Sequence, residues 1–340
     1  MGTLLRLATD SHRLLKLRAP GRLHLGFLDP AGSLGRRFGS LGLVIDGIAT
    51  ELELSASSSA DEVLAADAAA QVEVERAARY LAVLREHTGL QTPLRVQLNS
   101  VLPPHAGFGS GTQLALAMGR AFAHWHGLEL SSVTLAHWLA RGLRSGIGIA
   151  GFDQGGLLVD GGPGADGLPA PLLSRIAFPA AWRVVVVQDE RHRGLSGTQE
   201  KQAIATLAPL PQAASADICH QVLMRVLPGA ASVEFAPFAA GINRVQQLLG
   251  EHFAPAQGGV YTSAAVGRIV AFIADAAQGA ATGQSSWGPT GFAILPSQAI
   301  AEAAVRALRA TRLLEPGLTV SIVAGLNRGA QLTEHACEPH

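Results

Sequence analysis

The chain has 340 residues, 48% of them apolar; the length suggests about two domains, and the composition excludes an intrinsically disordered protein. Its 26 basic and 26 acidic residues balance, so neither nucleic acid nor an anionic membrane surface is the expected partner. Cys219 and Cys337 fit no disulfide framework and no metal-ligand spacing, which points to a reducing cytoplasm. Charges interrupt Met1 to Pro20 at Arg6, Asp10, Arg13, Lys16 and Arg18, and no long apolar run follows, so neither a signal peptide nor a membrane span is expected.

In chain order, Arg13 to Ala19 and Ile48 to Leu54 read as strands. Val74, Ala77, Leu81 and Leu84 recur at helical spacing, predicting an amphipathic helix over 70–87. Leu94, Val96 and Leu98 alternate as in a half-buried strand, which Pro103-Pro104 stops. A helix carrying Leu114, Met118, Ala121 and Trp125 begins near Thr112, and Ser131 caps the next. Leu157 to Val159 is a short strand, and 161–171, rich in Gly, Pro and Ala, reads as a linker between halves 1–165 and 166–340. The second half opens on a buried strand at 184–187. Helices follow near 198–207, 215–227, 235–249 and 263–278, then a strand at 292–295, a helix at 298–308 and a strand at 318–323. Elements of both kinds throughout predict an α+β architecture in each half.

Five segments could carry chemistry. In Pro103 to Gln113 a strand leads in, a helix leads out, and Gly107, Gly109 and Gly111 let a ligand approach the backbone. The free amides of a helix start favour an anion, and Ser110 and Thr112 add hydroxyls. The loop lacks the Gly-Lys-Ser/Thr of a Walker motif and the glycine spacing of a dinucleotide fingerprint. A helix-capping turn is the plain alternative. Second, Arg22, His24 and Asp29 are expected on one face of a strand with Leu23, Leu25 and Phe27 opposite; the cationic pair suits a carboxylate or phosphate, unless the strand is merely half-solvated. Third, Asp153 stands in the glycine-dense run 144–156 as a cation ligand or base, or as an ordinary turn residue. Fourth, Gln284, Ser285, Ser286 and Gly288 lie in a loop able to close over a ligand, or in a simple connection. Fifth, Arg191 and Arg193 flank His192 at a strand end, as anion donors or a solvated charge run. His124 and His126 do not share a helix face, and no histidine-carboxylate cluster argues for zinc.

Pro103 to Gln113 resembles the central motif of the GHMP small-molecule kinase superfamily, Pro-x-x-x-Gly-x-Gly-Ser-Ser. Arg22 to Gly26, Ser145 to Gly148, Gly155-Gly156, Asp160 to Gly162 and Gly283 to Thr290 resemble more specifically the β-ribofuranosylaminobenzene 5′-phosphate synthase family. The resemblance implies an N-terminal α+β domain and a C-terminal ferredoxin-like domain. It implies a pentosyltransferase that condenses 4-aminobenzoate (or 4-hydroxybenzoate) with phosphoribosyl pyrophosphate, releasing carbon dioxide and pyrophosphate in tetrahydromethanopterin biosynthesis. In such an enzyme Gly107 to Thr112 would take the pyrophosphate with magnesium, Arg22 and His24 would orient the carboxylate or phosphate, and Asp153 would hold the cation or stabilise charge at the sugar carbon. Gln284, Ser285, Ser286, Gly288, Arg191 and Arg193 are the further substrate-binding candidates, and a homodimer is expected. Two departures count against phosphoryl transfer from ATP: Ser110 is followed by Gly111-Thr112, and Asp153 stands seven residues past Gly146. An ATP-dependent kinase of a small alcohol is the alternative, and a non-catalytic binder of phosphorylated metabolites the third.

Overall fold

Two long strands seed the first sheet in the computed structural model, which describes residues 13–164, 167–194, 202 and 206–336. β1 (Arg13–Asp29) and β2 (Phe38–Ala56) pair antiparallel from Leu14↔Ser55 to Asp29↔Phe38. β4 (Leu94–Ser100) joins the far side of β2, with β3 (Glu62–Ala65) parallel beyond it. β5 (Leu157–Asp160) pairs with the first half of β2, and β6 (Leu172–Ile176) pairs with β5. β11 (Gln331–Ala336) returns to the outer edge of β1. The short helix α1 (Ala68–Gln71) precedes α2 (Val74–Thr88), which packs with α3 (Ser110–Trp125) on one face. There Leu81, Leu84, Met118 and Phe122 bury against Leu17, Leu52 and Leu98. Ser131 caps α4 (Ser132–Trp138) as expected, accepting from Thr134 N at 3.0 Å. α5 (Ile147–Gln154) runs into β5.

The second sheet contains β7 (Arg183–Asp189), β8 (Ala281–Gln284), β9 (Thr290–Leu295) and β10 (Leu318–Ala324), all antiparallel in the order β10-β7-β9-β8. α6 (Gln212–Gln221), a π-helical turn (Val222–Val226), α7 (Leu227–Ala231) and α8 (Phe235–Gln257) follow β7. α9 (Ala264–Ala276) precedes β8, and α10 (Gln298–Arg309) links β9 to β10, which completes the expected ferredoxin-like order of elements. Ile269, Ile273 and Leu308 cover one face of this sheet against Val185 and Val187. On its other face one apolar cluster joins Val184, Val186 and Phe292 to Ile242 and Val245 of α8 and to Leu23 and Leu25 of β1. The two sheets therefore share a core, to which Leu41, Leu43 and Ile45 of β2 contribute beside the β1 residues. Among the described residues no helix is long and apolar enough to cross a membrane.

Several expectations shift. The division at 165/166 does not follow sheet membership, because β6 and β11 both complete the first sheet. α3 starts at Ser110 rather than near Thr112, since Gly109 (φ +80°) already turns the chain into the helix. α8 continues to Gln257 rather than ending at 249. The helix expected over 198–207 lies largely outside the described residues.

Candidate active site

β1 is bulged twice, between Pro20 and Arg22 and between His24 and Gly26. The bulges re-aim the side chains between them. Arg22 Nη1 donates to Gly107 O at 2.7 Å and Arg22 N to Phe108 O at 3.1 Å, fastening the strand to the glycine loop. The Gly283 to Thr290 segment closes the junction. Ser285 Oγ donates to Gly107 O at 2.7 Å and accepts from His24 N at 2.9 Å, while Ser286 N donates to His24 O at 3.3 Å. Gly107 (φ +96°) is required twice over: its backbone is left-handed, and a Cβ there would sit 2.5 Å from Ser285 O. Gly288 likewise packs on Ala106, where a Cβ would come within 2.5 Å of backbone. Three segments that are remote in sequence thus meet at one point.

Thr112 N and Gln113 N both donate to Gly109 O at 3.0 Å. The amides of Ser110 and Gly111 lie in the first turn, where helix amides have no carbonyl a turn behind them and can serve an anion. The Ser110 and Thr112 side chains are half-buried beside them. Cations surround this cradle. A Cβ on Gly109 would lie 3.1 Å from the Arg22 guanidinium; one on Gly111 would lie 3.3 Å from Arg141 Nη1 and 3.8 Å from Arg76 Nη1. Tyr80 OH donates to Gly111 O at 3.4 Å and accepts from Arg141. Glu73 pairs with Arg76 at 3.1 Å, and its burial pushes the carboxyl above the usual range. Burial, then Arg76 and Arg193, push the His105 imidazole down, which puts Arg193 in the field of the loop. Arg76, Arg141 and Arg144 were not singled out from the sequence. For Arg141 and Arg144 the signal is the Arg141-Gly142-Leu143-Arg144 run just before Ser145-Gly146; Arg76 carries none.

His24 is 3% exposed, and burial, followed by the charges of Arg22 and Arg144, lowers its pKa to about 3. It is neutral at working pH. Its ring packs edge-on against Phe27, centroids 4.5 Å apart, so the expectation that Phe27 lies on the opposite face fails: the bulge at His24/Gly26 breaks the alternation. Both residues line a pocket between β1, the end of α8 and the Ser286-Trp287 turn. Asp29 instead caps its own turn, accepting from Gly32 N and Ser33 N at 2.9 and 2.7 Å.

The remaining predicted residues divide. Ser286 (φ +55°) and Gln284 line the pocket, Gln284 also accepting from Thr262 N at 2.6 Å. Arg191 is committed to Asp189 at 2.8 Å and Glu315 at 2.9 Å, clamping the end of β7 rather than facing the cradle. Asp153 accepts from Ser132 Oγ at 2.6 Å and lies 3.7 Å from Arg120. Arg120 is ten residues along α3 from Ser110, about 15 Å by helix rise, so the structure does not bring Asp153 to the cradle. Among the described residues no three His, Cys, Asp or Glu side chains gather as ion ligands would. Glu73, the acid beside the cradle, is paired with Arg76. This donor set does not fit a protein-held magnesium.

Residues 73–156 match the model of the GHMP kinases N terminal domain. Solved structures of that fold superpose over nearly the whole chain. Mevalonate diphosphate decarboxylase from Staphylococcus aureus aligns with a TM-score of 0.65 at 12% identity, covering 94% of this chain and 98% of that one. Homoserine kinase from Cytophaga hutchinsonii gives 0.62 at 16% identity, covering 94% and 97%. The fold is therefore that of the GHMP kinases. Sequence likeness is narrower: the chain is 34% identical to the β-ribofuranosylphenol 5′-phosphate synthase of Archaeoglobus fulgidus, over 84% of this chain and 89% of that protein. The synthase of the same name from Methanothermobacter thermautotrophicus is 28% identical over 93% and 98%. The chain belongs to this synthase family, the one its motifs resemble.

Proposed function

We propose that this protein joins phosphoribosyl pyrophosphate to 4-hydroxybenzoate, forming β-ribofuranosylphenol 5′-phosphate and releasing carbon dioxide and pyrophosphate. The observation that carries the reading is the meeting of Arg22, Gly107–Thr112 and Ser285 at one arginine-rimmed helix start, with an aromatic-walled pocket beside it. The relatives' name, a phenol, favours the hydroxyl over the amine on the acceptor.

The bond between the sugar C1 and the pyrophosphate oxygen breaks, its electron pair leaving with the pyrophosphate. Amides at Ser110 and Gly111, with Arg22, Arg76 and Arg141, stabilise that charge where it develops. The ring carbon bearing the carboxylate supplies the pair that forms the new C–C bond. The carboxylate departs as carbon dioxide and returns its pair to the ring. Holding the two partners in line is the protein's other contribution. Phosphoryl transfer from ATP is the second reading, and the engagement of Asp153 with Ser132 and Arg120 weighs against it. We further infer a cytoplasmic homodimer acting in tetrahydromethanopterin biosynthesis.

The test mixes purified protein with phosphoribosyl pyrophosphate and carboxyl-labelled 4-hydroxybenzoate or 4-aminobenzoate, with and without magnesium. Labelled carbon dioxide and pyrophosphate in equal amounts are expected. ADP formed from ATP with an added alcohol, and no labelled gas, would replace the reading with the kinase.

A further inference from the structure

The pocket beside His24 is built unlike the cradle. Phe27, Leu249, Phe253 and Trp287 wall it, with the Phe253 and Trp287 rings 4.6 Å apart. Its glutamines are committed to their neighbours: Gln246 donates to Leu25 O at 2.7 Å and accepts from Gln284 N at 2.9 Å, and Gln284 donates to Ser286 O at 2.8 Å. His24 Nε2 differs from them; it is buried and has no hydrogen-bond partner among the described residues. A neutral imidazole carries one N–H and one lone pair, and a hydroxyl can pair with Nε2 when the lone pair is there. His24 also stands on the cradle side of the pocket, since Ser285 Oγ bridges its backbone to Gly107 O.

We propose that this pocket is the acceptor subsite, a slot for the ring of a para-substituted benzoate, and that His24 Nε2 accepts a hydroxyl of the donor sugar. The inference rests on the reaction proposed above and adds the placement of its parts. Three linings follow one another in space: an anion cradle, a buried lone-pair acceptor, an aromatic slot. The reacting pair has the same order: pyrophosphate, ribose, arene. The aromatic walls suit the faces of a flat ring, the polar lining residues Gln246, Gln257, Gln284 and Ser286 stand near its substituents, and a ribose hydroxyl is the donor that an unspent buried acceptor lacks. A neutral imidazole at this point adds no positive charge beside an electron-poor sugar carbon.

Phe253→Ala and Leu249→Trp test the slot, one by removing a wall and the other by filling the space. In both, KM for 4-hydroxybenzoate should rise about ten-fold or more, with product inhibition by pyrophosphate unchanged. An unchanged KM in both, with the wild type active, overturns the slot and leaves the reaction standing. If the wild type makes no product, the reaction fails, and equilibrium binding still decides the slot. Quenching of Trp287 fluorescence by 4-hydroxybenzoate, identified against Trp287→Phe and lost in Phe253→Ala, supports it; absence of quenching overturns it. For His24, the 2-deoxy and 3-deoxy analogues of the donor are compared. One of them should cost the wild type about ten-fold or more, and His24→Phe should show that loss with the natural donor and no further loss with the analogue. Losses that simply add overturn the role of His24.

Discussion

The cradle and the pocket face each other across His24, yet they are assembled by opposite means. The cradle is mostly backbone, a left-handed glycine and the first amides of α3, rimmed by arginines from β1, α2 and the segment before α5. Its decisive part lies within about ten consecutive residues, because a helix start needs only a local turn. The pocket has almost no backbone chemistry. Its walls come from β1, from the end of α8 and from the turn after β8, and its tie between Gln246 and Leu25 spans 221 positions. An anion site can be local; an apolar site is made by tertiary packing.

Arg22→Ala should break the cradle most severely. It removes the cation beside Gly109 and the donor to Gly107 O, and kcat/KM for the ribosyl donor should fall about 10³-fold, roughly 4 kcal/mol of transition-state stabilisation. A loss under ten-fold in steady-state assays would mean that the amides suffice alone. Arg141→Ala comes next: KM for the donor should rise about 10- to 50-fold while that for the benzoate stays level. Movement of both constants together would dissolve the distinction between the two regions.

A third probe reads His24 through stability. Its imidazole titrates near 3 when folded, against 6.5 ordinarily. Between those values the unfolded chain binds the proton and the folded chain does not, so stability is complete above about 6.5 and declines as the pH falls toward 3. Between pH 7 and 4.5 the wild type should lose on the order of 2 kcal/mol more than His24→Phe in urea melts. Parallel losses would show a solvated imidazole. The smallest effect is expected from Asp153→Asn, which should change turnover less than about three-fold and stability by about 0.5 kcal/mol. A hundred-fold fall in turnover would return Asp153 to the chemistry.

How much of this was legible in the sequence follows the same division. Regular alternation and helical spacing announced β4, α2 and α3, and glycine spacing announced the cradle. The face shared by His24 and Phe27 was hidden, because a bulge shifts the register without changing composition. The run 144–156 reads differently once folded. Its glycines serve close packing: a Cβ on Gly148 would sit 3.2 Å from Thr112, and one on Gly151 2.8 Å from Val44. Density of glycine there reports a helix pressed against its neighbours, with Asp153 on its outer side. Phe253 and Leu249 carry no local mark at all, since an apolar residue late in a helix reads as core until the partner strand is known.

The pairing of β11 with β1 governs how the molecule comes into being. Arg13 and Glu334, ion-paired at 2.6 Å, are separated by 321 positions. Closing so long a loop carries an entropic cost, and the ribosome must deliver the 321 positions between these two residues before that margin of the sheet can be zipped. The nascent first half therefore emerges with a bare strand flank, vulnerable to pairing with another nascent chain. That flank stays open until β11 has been made and has paired with β1.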